Sequence, residues 1–181
     1  NGAAYGGALF AADADMVMQR TSFIANGQAR AVNGGAFYAE RGVAELQQVT
    51  FADNKAYRGG AVSVQQHDDA GRRGAAAPSI AFRSCVFDRN HAFNQGGAID
   101  TVDPATPASF MTVADCAFSN NTATLVAAAS TVDGMYHGNT FSCNEIVGET
   151  RQPPPVLTAT YNHTSVNTTG GGNTIVGCPA F

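Results

Sequence analysis

Apolar residues recur along the chain in short alternating groups, without the three- and four-residue spacing of a helix. At four repeated phenylalanines, Phe23, Phe51, Phe87 and Phe118, apolar side chains precede the ring by seven and five residues, and an apolar residue or threonine precedes it by two; mostly polar pairs precede it by four and three. Strand side chains alternate with a period of two, so the residues seven and five before the ring share one face of a strand. The residue two before the ring and the ring itself share another face, after a corner at the polar pair. The pattern therefore predicts short strands joined by bends.

Two short units repeat in alternation. The unit FxxN occurs at Phe23–Asn26, Phe51–Asn54, Phe87–Asn90, Phe118–Asn121 and Phe141–Asn144. The unit GGA plus an apolar residue occurs at Gly6–Leu9, Gly34–Phe37, Gly59–Val62 and Gly96–Ile99, with a worn copy at Ala127–Ala129. Strands this short must stack on the next repeat to bury their apolar faces. We predict an all-β fold, a right-handed parallel β-helix of about six rungs with three strands in each.

Two columns of identical residues should run through this stack. The phenylalanines Phe23, Phe51, Phe87, Phe118 and Phe141 are expected to form one buried stack, because they share an inward position. The asparagines Asn26, Asn54, Asn90, Asn121 and Asn144 are expected to form an amide ladder of the kind seen where identical residues stack. The alternative is that each asparagine is an ordinary turn residue.

The regular repeats predict one β-helical domain over residues 1–144, followed at 145–181 by an irregular loop with a last rung or cap. Pro153–Pro155 cannot occupy a central strand. The first residue falls inside a repeat, so we expect a piece of a longer chain whose amino-terminal rung is open. Two insertions, Gln65–Pro78 and Asp103–Ala108, fall at the same corner and are expected on one side of the solenoid.

Composition narrows the functional classes. The 181 residues carry a net charge of −4, and only 13% of them are charged. Nucleic-acid binding favours a basic face, but the longest basic run in this chain is only Arg72–Arg73, so the composition argues against nucleic-acid binding. No apolar stretch approaches the ~20 residues of a membrane span. We expect no nucleic-acid partner, no membrane span in this piece and no cofactor.

Candidate chemistry is sparse. The loop residues His67, Asp68 and Asp69 could bind calcium or form a solvated loop, and with Arg72 and Arg73 they make a candidate interaction loop. Asp100 and Asp103 lie near the outer face of a strand, where β-helix carbohydrate enzymes place carboxylates. The residues level with Asp100 are Phe10, Tyr38 and Ser63, which supply no matching acidic or basic column. We therefore predict no catalytic, cofactor or metal residues.

The cysteines and sequons bear on location. Cys85 and Cys116 share a column one rung apart, where parallel Cβ directions favour free thiols over a disulfide. Cys143 and Cys178 flank the irregular tail, and a disulfide there would hold the cap. Three sequons begin at Asn120, Asn162 and Asn167, and the two in the tail are the better candidates for glycosylation.

The alternating FxxN and GGA units resemble the repeats of chlamydial polymorphic outer-membrane proteins and of similar β-helical surface proteins. The resemblance covers Asn1 to about Asn144. It implies a non-enzymatic extracellular or cell-surface module with a structural or adhesive role in a larger assembly. Its partners would be other protein subunits or the rest of its own chain, with cell-surface carbohydrate as a further candidate. The alternative is a carbohydrate-active or carbohydrate-binding protein of the pectate-lyase-like type.

Overall fold

The computed structural model describes residues 3–27, 31–40, 42–65, 79–102, 110–125, 128–130, 134–147 and 172–176. Within these ranges the protein contains twenty strands and no helix, so nothing there could cross a membrane as a helix. All strand pairs among the described residues are parallel, and each strand pairs with its counterpart in the neighbouring repeat, on both sides except at the ends of a sheet. The prediction of an all-β parallel β-helix is confirmed.

The strands form four sheets, numbered here in the order that one rung visits them. The first sheet follows the GGA units and contains β1 (Leu9–Ala12), β4 (Phe37–Glu40), β8 (Val62–Gln65), β12 (Ile99–Val102) and β16 (Ala129–Ser130). The second sheet contains β2 (Met16–Gln19), β5 (Val43–Gln47), β9 (Ser79–Arg83), β13 (Phe110–Ala114) and β17 (Gly134–His137).

The third sheet contains the phenylalanine of each FxxN unit, and the strands of the fourth sheet begin directly after the asparagine. The third sheet contains β3 (Ser22–Ile24), β6 (Thr50–Ala52), β10 (Val86–Asp88), β14 (Ala117–Ser119), β18 (Thr140–Ser142) and β20 (Thr174–Val176). The fourth sheet contains β7 (Lys55–Arg58), β11 (His91–Gln95), β15 (Thr122–Ala123) and β19 (Glu145–Ile146).

The prediction of three strands per rung is wrong, because the fourth sheet was not recognised. Its first three strands each bury one small residue, in the column Ala56, Ala92 and Ala123, all of which are 0% exposed. A single small inward residue gives almost no hydrophobic periodicity, so the sequence pattern hides the strand.

The core fills the interior of the stack with residues from the first three sheets. Its largest members are fully buried: Phe37, Leu46, Phe51, Phe82, Phe87, Ile99 and Phe118. Residues of one column face each other across successive rungs, as Phe37, Val62 and Ile99 do. The apolar stabilisation is therefore distributed along the solenoid rather than concentrated at one centre.

Single residues in the left-handed conformation turn the chain between sheets. One such corner precedes the third sheet, at Arg20, Gln48, Ser84, Asp115 and Gly138, and another follows it, at Ala25, Asp53, Arg89, Asn120 and Cys143. A left-handed conformation costs a non-glycine residue roughly 1–2 kcal/mol. The stacking on both sides of each corner compensates for that local cost.

The two glycines of a GGA unit are needed for different reasons. Gly34 has φ of +65°, which favours glycine. A Cβ on Gly35 would stand 2.1 Å from the carbonyl oxygen of Gly60 in the next rung. The first glycine thus supplies the turn, and the second permits close stacking of the turns.

Candidate functional site

The phenylalanine column forms a continuous stack of rings. Successive centroids, from Phe23 to Phe51, Phe87, Phe118 and Phe141, are 5.2, 5.0, 4.7 and 4.9 Å apart, and neighbouring planes differ by at most 11°. Phe23 is partly buried, and the other four rings are at most 2% exposed. Such aromatic pairs contribute about 0.5–1.5 kcal/mol beyond the burial of their area.

The asparagine column forms a hydrogen-bonded ladder beside the rings. In each of four steps, the backbone N–H and side-chain amide of one asparagine both donate to Oδ1 of the next, from Asn26 through Asn54, Asn90 and Asn121 to Asn144. The side-chain amide also donates to the carbonyl oxygen of the phenylalanine one rung earlier, as Asn90 Nδ2 does to Phe51 at 3.0 Å. The three central amides therefore use two donors and two acceptor sites each.

A second ladder, missed by the sequence reasoning, begins in the cysteine column. The backbone N–H of Cys116 donates to Asn139 Oδ1 at 2.9 Å, and both amide groups of Asn139 donate to Asn173 Oδ1 at 3.0 Å. Asn139 stands two residues before Phe141, just as Cys116 stands two before Phe118. The shared offset places Asn139 in the cysteine column, but the residue type changes there, so the offset alone did not predict these hydrogen bonds.

Cys85 and Cys116 are free, buried thiols. The backbone N–H of Cys85 donates to Cys116 Sγ at 3.3 Å, and the Cys116 thiol donates to the Ala114 carbonyl at 3.2 Å. The neighbouring Cys85 side chain, together with burial, raises the pKa of Cys116. The prediction of free thiols in this column is confirmed, and Cys116 stays protonated at neutral pH.

A cluster of polar side chains, here called the polar corner, lies where the fourth sheet meets the first. Asp100 Oδ2 accepts from Arg58 Nε at 2.9 Å, and Asp100 Oδ1 accepts from Gln95 Nε2 at 3.0 Å. Asn33 and Ser63 are also buried there, and Asn33 Oδ1 and Ser63 Oγ have no hydrogen-bond partner among the residues that the structure describes. Asp100 does alternate outward from the core, as expected, but it is not exposed to solvent as a surface carboxylate would be: it is 0% exposed, because the corner encloses it with Arg58 and Gln95.

The outward side of the fourth sheet carries the exposed aromatic residues of the middle rungs. Tyr57 on β7 is 50% exposed and Phe93 on β11 is 42% exposed. Lys55, His91, Thr122 and Glu145 form a neighbouring polar column on the same side. The six residues Lys55, Tyr57, His91, Phe93, Thr122 and Glu145 are called the fourth-sheet face below.

His91 occupies the middle of this face. Its Nδ1 lies 2.8 Å from Thr122 Oγ1, and its ring meets that of Phe93 edge-on, with centroids 4.6 Å apart at 87°. Burial lowers the pKa of His91, and the positive charge of Lys55 on the adjacent strand lowers it further. His91 is therefore predominantly neutral at pH 7 and fixes the orientation of Phe93.

The structure places one of the three sequons. Asn120 is exposed at a left-handed corner, and its side-chain amide donates to Asp88 Oδ1 at 3.1 Å. Its neighbour Asn121 is buried in the asparagine ladder. Asn162 and Asn167 lie outside the described residues, so glycosylation there stays a prediction.

Several other expected features also fall outside the described ranges. The candidate loop residues His67, Asp68, Asp69, Arg72 and Arg73 lie there, as do Asp103, nearly all of the two insertions, and Cys178. Cys143 stands at the corner after β18, and its pairing with Cys178 stays a prediction. Among the described residues, no group of three metal-binding side chains comes together.

Comparison with known proteins adds no assignment to this geometry. No protein-family model, no curated protein and no solved structure matches the chain.

Proposed function

We propose that the protein is a non-enzymatic extracellular module with a structural or adhesive role in a larger cell-surface or filament assembly. The observation that carries this proposal is that the phenylalanine stack and the asparagine ladder, of five residues each, run unbroken through the rungs. Both columns lie inside the stack of rungs. The residues that repeat most strongly in the chain therefore build a continuous solenoid and not a reactive cleft.

The contacts within these two columns suit a mechanically stable element. The central amides are buried and fully hydrogen-bonded, and buried networks that are fully satisfied rigidify a core. Each rung pairs with its neighbours through four parallel sheets. Separating two rungs would break backbone pairs, amide bonds and ring contacts together, which favours a stiff and cooperative unit.

The extracellular location rests on the sequence. The sequons, the predicted Cys143–Cys178 disulfide and the resemblance to chlamydial polymorphic outer-membrane repeats all favour a surface protein. Asn120, the one sequon asparagine among the described residues, is accessible at a corner. Its accessibility supports modification without disruption of the core.

The carbohydrate-active alternative has less support in the described chain. Asp100, the candidate carboxylate, is fully buried and engaged by Arg58 and Gln95. A general acid or base must come within hydrogen-bond reach of its substrate. A carboxylate enclosed in this way is better suited to holding the corner than to proton transfer.

Surface labelling tests the proposal. Antibodies against the purified protein are applied to the cells that make it, before and after permeabilisation, with an internal protein as the control. We expect label on intact cells that is lost after brief protease treatment. Label that appears only after permeabilisation would refute the extracellular role. Release of new reducing ends or unsaturated products from a polysaccharide panel would refute the non-enzymatic one.

A further inference from the structure

The fourth-sheet face differs from the outward sides of the second and third sheets in its aromatic content. The outward residues on β2, β5, β6 and β10 are aliphatic or polar, such as Val17, Val43, Thr50 and Val86. On the fourth sheet, Tyr57 and Phe93 are about half exposed on adjacent strands. Exposing two aromatic rings side by side costs hydrophobic burial, and such patches commonly mark a contact site.

The two rings belong to a stripe that follows the axis of the stack. Val32, 42% exposed, stands level with Tyr57, because the backbone N–H of Tyr57 donates to the carbonyl of Ala31. Phe93 continues the stripe one rung further on. Adjacent parallel strands lie about 4.8 Å apart, which is similar to the advance of one sugar ring in an extended glycan.

The geometry of Phe93 is fixed before any ligand arrives. The register between β7 and β11 shifts between Ala92 and Gln95, and such bulges re-aim the side chains near them. The edge-on contact with His91, itself held against Thr122, then sets the plane of the ring. A ring that is already oriented loses less entropy on binding.

The polar neighbours indicate the class of ligand. Lys55 and Glu145 lie at opposite ends of the polar column and carry opposite charges, so their charges cancel across the face. A nucleic acid or an acidic glycan would favour a basic surface. His91 and Thr122 add neutral hydrogen-bonding groups, which suit hydroxyl groups.

We propose that the fourth-sheet face binds an extended neutral glycan that lies along the axis of the solenoid. The negative π faces of Tyr57 and Phe93 attract the polarised C–H groups of sugar rings. Lys55, His91 and Glu145 hydrogen-bond the hydroxyls at the edge of the chain. This inference rests on the proposed adhesive role and names the ligand class for it.

Binding of linear neutral oligosaccharides to the full chain tests the inference. The probes are hexasaccharides of β-1,4-glucan, β-1,3-glucan, β-1,4-xylan and β-1,4-mannan, with heparin hexasaccharide as the acidic control, followed by NMR titration. We expect at least one neutral probe to bind, with affinity reduced at least tenfold in Tyr57→Ala and Phe93→Ala. The conservative variant Tyr57→Phe should retain binding within about threefold.

The matched control is Ile24→Ala, which removes a side chain 60% exposed on the third sheet. It should leave glycan binding within about twofold. All these sites are exposed, so the melting temperatures should stay near that of the unmodified protein, and a loss of binding will report the face itself.

Three outcomes would overturn the inference. The first is that no neutral probe binds, and the second is that the double variant Tyr57→Ala/Phe93→Ala still binds. The third is that Tyr57→Ala and Phe93→Ala lose binding only to heparin or to a protein-coated surface, and not to any neutral probe. None of these bears on the surface labelling described above, so the inference can fail while the extracellular role stands, and the reverse.

Discussion

Asn90 Oδ1 accepts two hydrogen bonds from Asn54, one from its backbone N–H at 3.1 Å and one from its side-chain amide at 2.9 Å. Asn90 in turn donates in the same way to Asn121. Each asparagine is thus acceptor for one rung and donor for the next. The ladder has a direction, and neither oxygen nor nitrogen of a central amide can be replaced without leaving a neighbour unpaired.

The first prediction is that Asn90→Asp destabilises the protein by about 3–5 kcal/mol, because it buries a charge and removes the donors to Asn121 and Phe51. The matched control is Asn26→Asp at the partly exposed start of the ladder, where the cost should be much smaller. Urea unfolding followed by circular dichroism measures both. Equal losses at the two positions would contradict a buried ladder.

The second prediction compares two phenylalanines of opposite environment. Phe87→Ala should lower the free energy of unfolding by about 3–5 kcal/mol, because it leaves a cavity between Phe51 and Phe118. Phe93→Ala, on the exposed fourth-sheet face, should change it by less than about 1 kcal/mol. Chemical denaturation of both variants decides the point. A mild effect at Phe87 would show that the ring stack contributes little.

The third prediction concerns the glycine doublets. A Cβ on Gly60 would stand 2.2 Å from the carbonyl oxygen of Gly97, so Gly60→Ala should cost about 3 kcal/mol or more through backbone displacement. Gln48→Gly supplies the reverse case. Gln48 is exposed with φ of 55°, so the change should be neutral or stabilising by up to about 1 kcal/mol.

Thermal melting of the two glycine variants tests this reasoning. Tolerance of Gly60→Ala would mean that the turns of successive rungs are not in close contact. A loss of more than about 1 kcal/mol in Gln48→Gly would mean that its left-handed conformation carries no strain to relieve.

The fourth prediction follows from the lowered pKa of His91. The folded protein resists protonation of this side chain, whereas the unfolded chain takes up the proton with an ordinary pKa near 6.5. The unfolded state therefore binds more protons in acid, and stability falls as the pH drops through about 6.5 towards the lower folded value. Above pH 7 the effect is absent.

The difference in unfolding free energy between the natural protein and His91→Gln, measured from pH 8 to pH 4.5, isolates this effect. The natural protein should lose stability relative to the variant on acidification. A difference that is constant over this range, or that favours the natural protein in acid, would contradict burial as the dominant cause.

The fifth prediction separates the two kinds of cysteine. Cys85 and Cys116 are buried and free, so alkylation of the native protein should not modify them, and unfolding without reductant should expose two thiols. Reduction should expose two more if Cys143 and Cys178 are paired. The intact mass of the protein after alkylation, with and without reductant, gives the number of reactive thiols. Four reactive thiols without reductant would refute the predicted disulfide, and none would refute the free pair.

The sequence by itself determined the repeat, the inward phenylalanine column and the placement of the asparagines at corners. These features rest on one residue type recurring at one offset, and in a parallel stack an offset along the chain becomes a position on an axis. The register pairs Phe23 with Phe51, and Phe51 with Phe87, as that offset requires.

Only the tertiary structure decided the fourth sheet, the second amide ladder and the environment of Asp100. A strand that buries one alanine shows no hydrophobic periodicity that a sequence pattern could detect. Asn139 bonds to Cys116, a different residue type, so no repeated residue points to their hydrogen bond. Asp100 alternates outward from the core, a position that normally meets solvent. The corner between two sheets instead places Arg58, distant in the chain, against its carboxylate, and alternation along one strand cannot report what a neighbouring sheet covers.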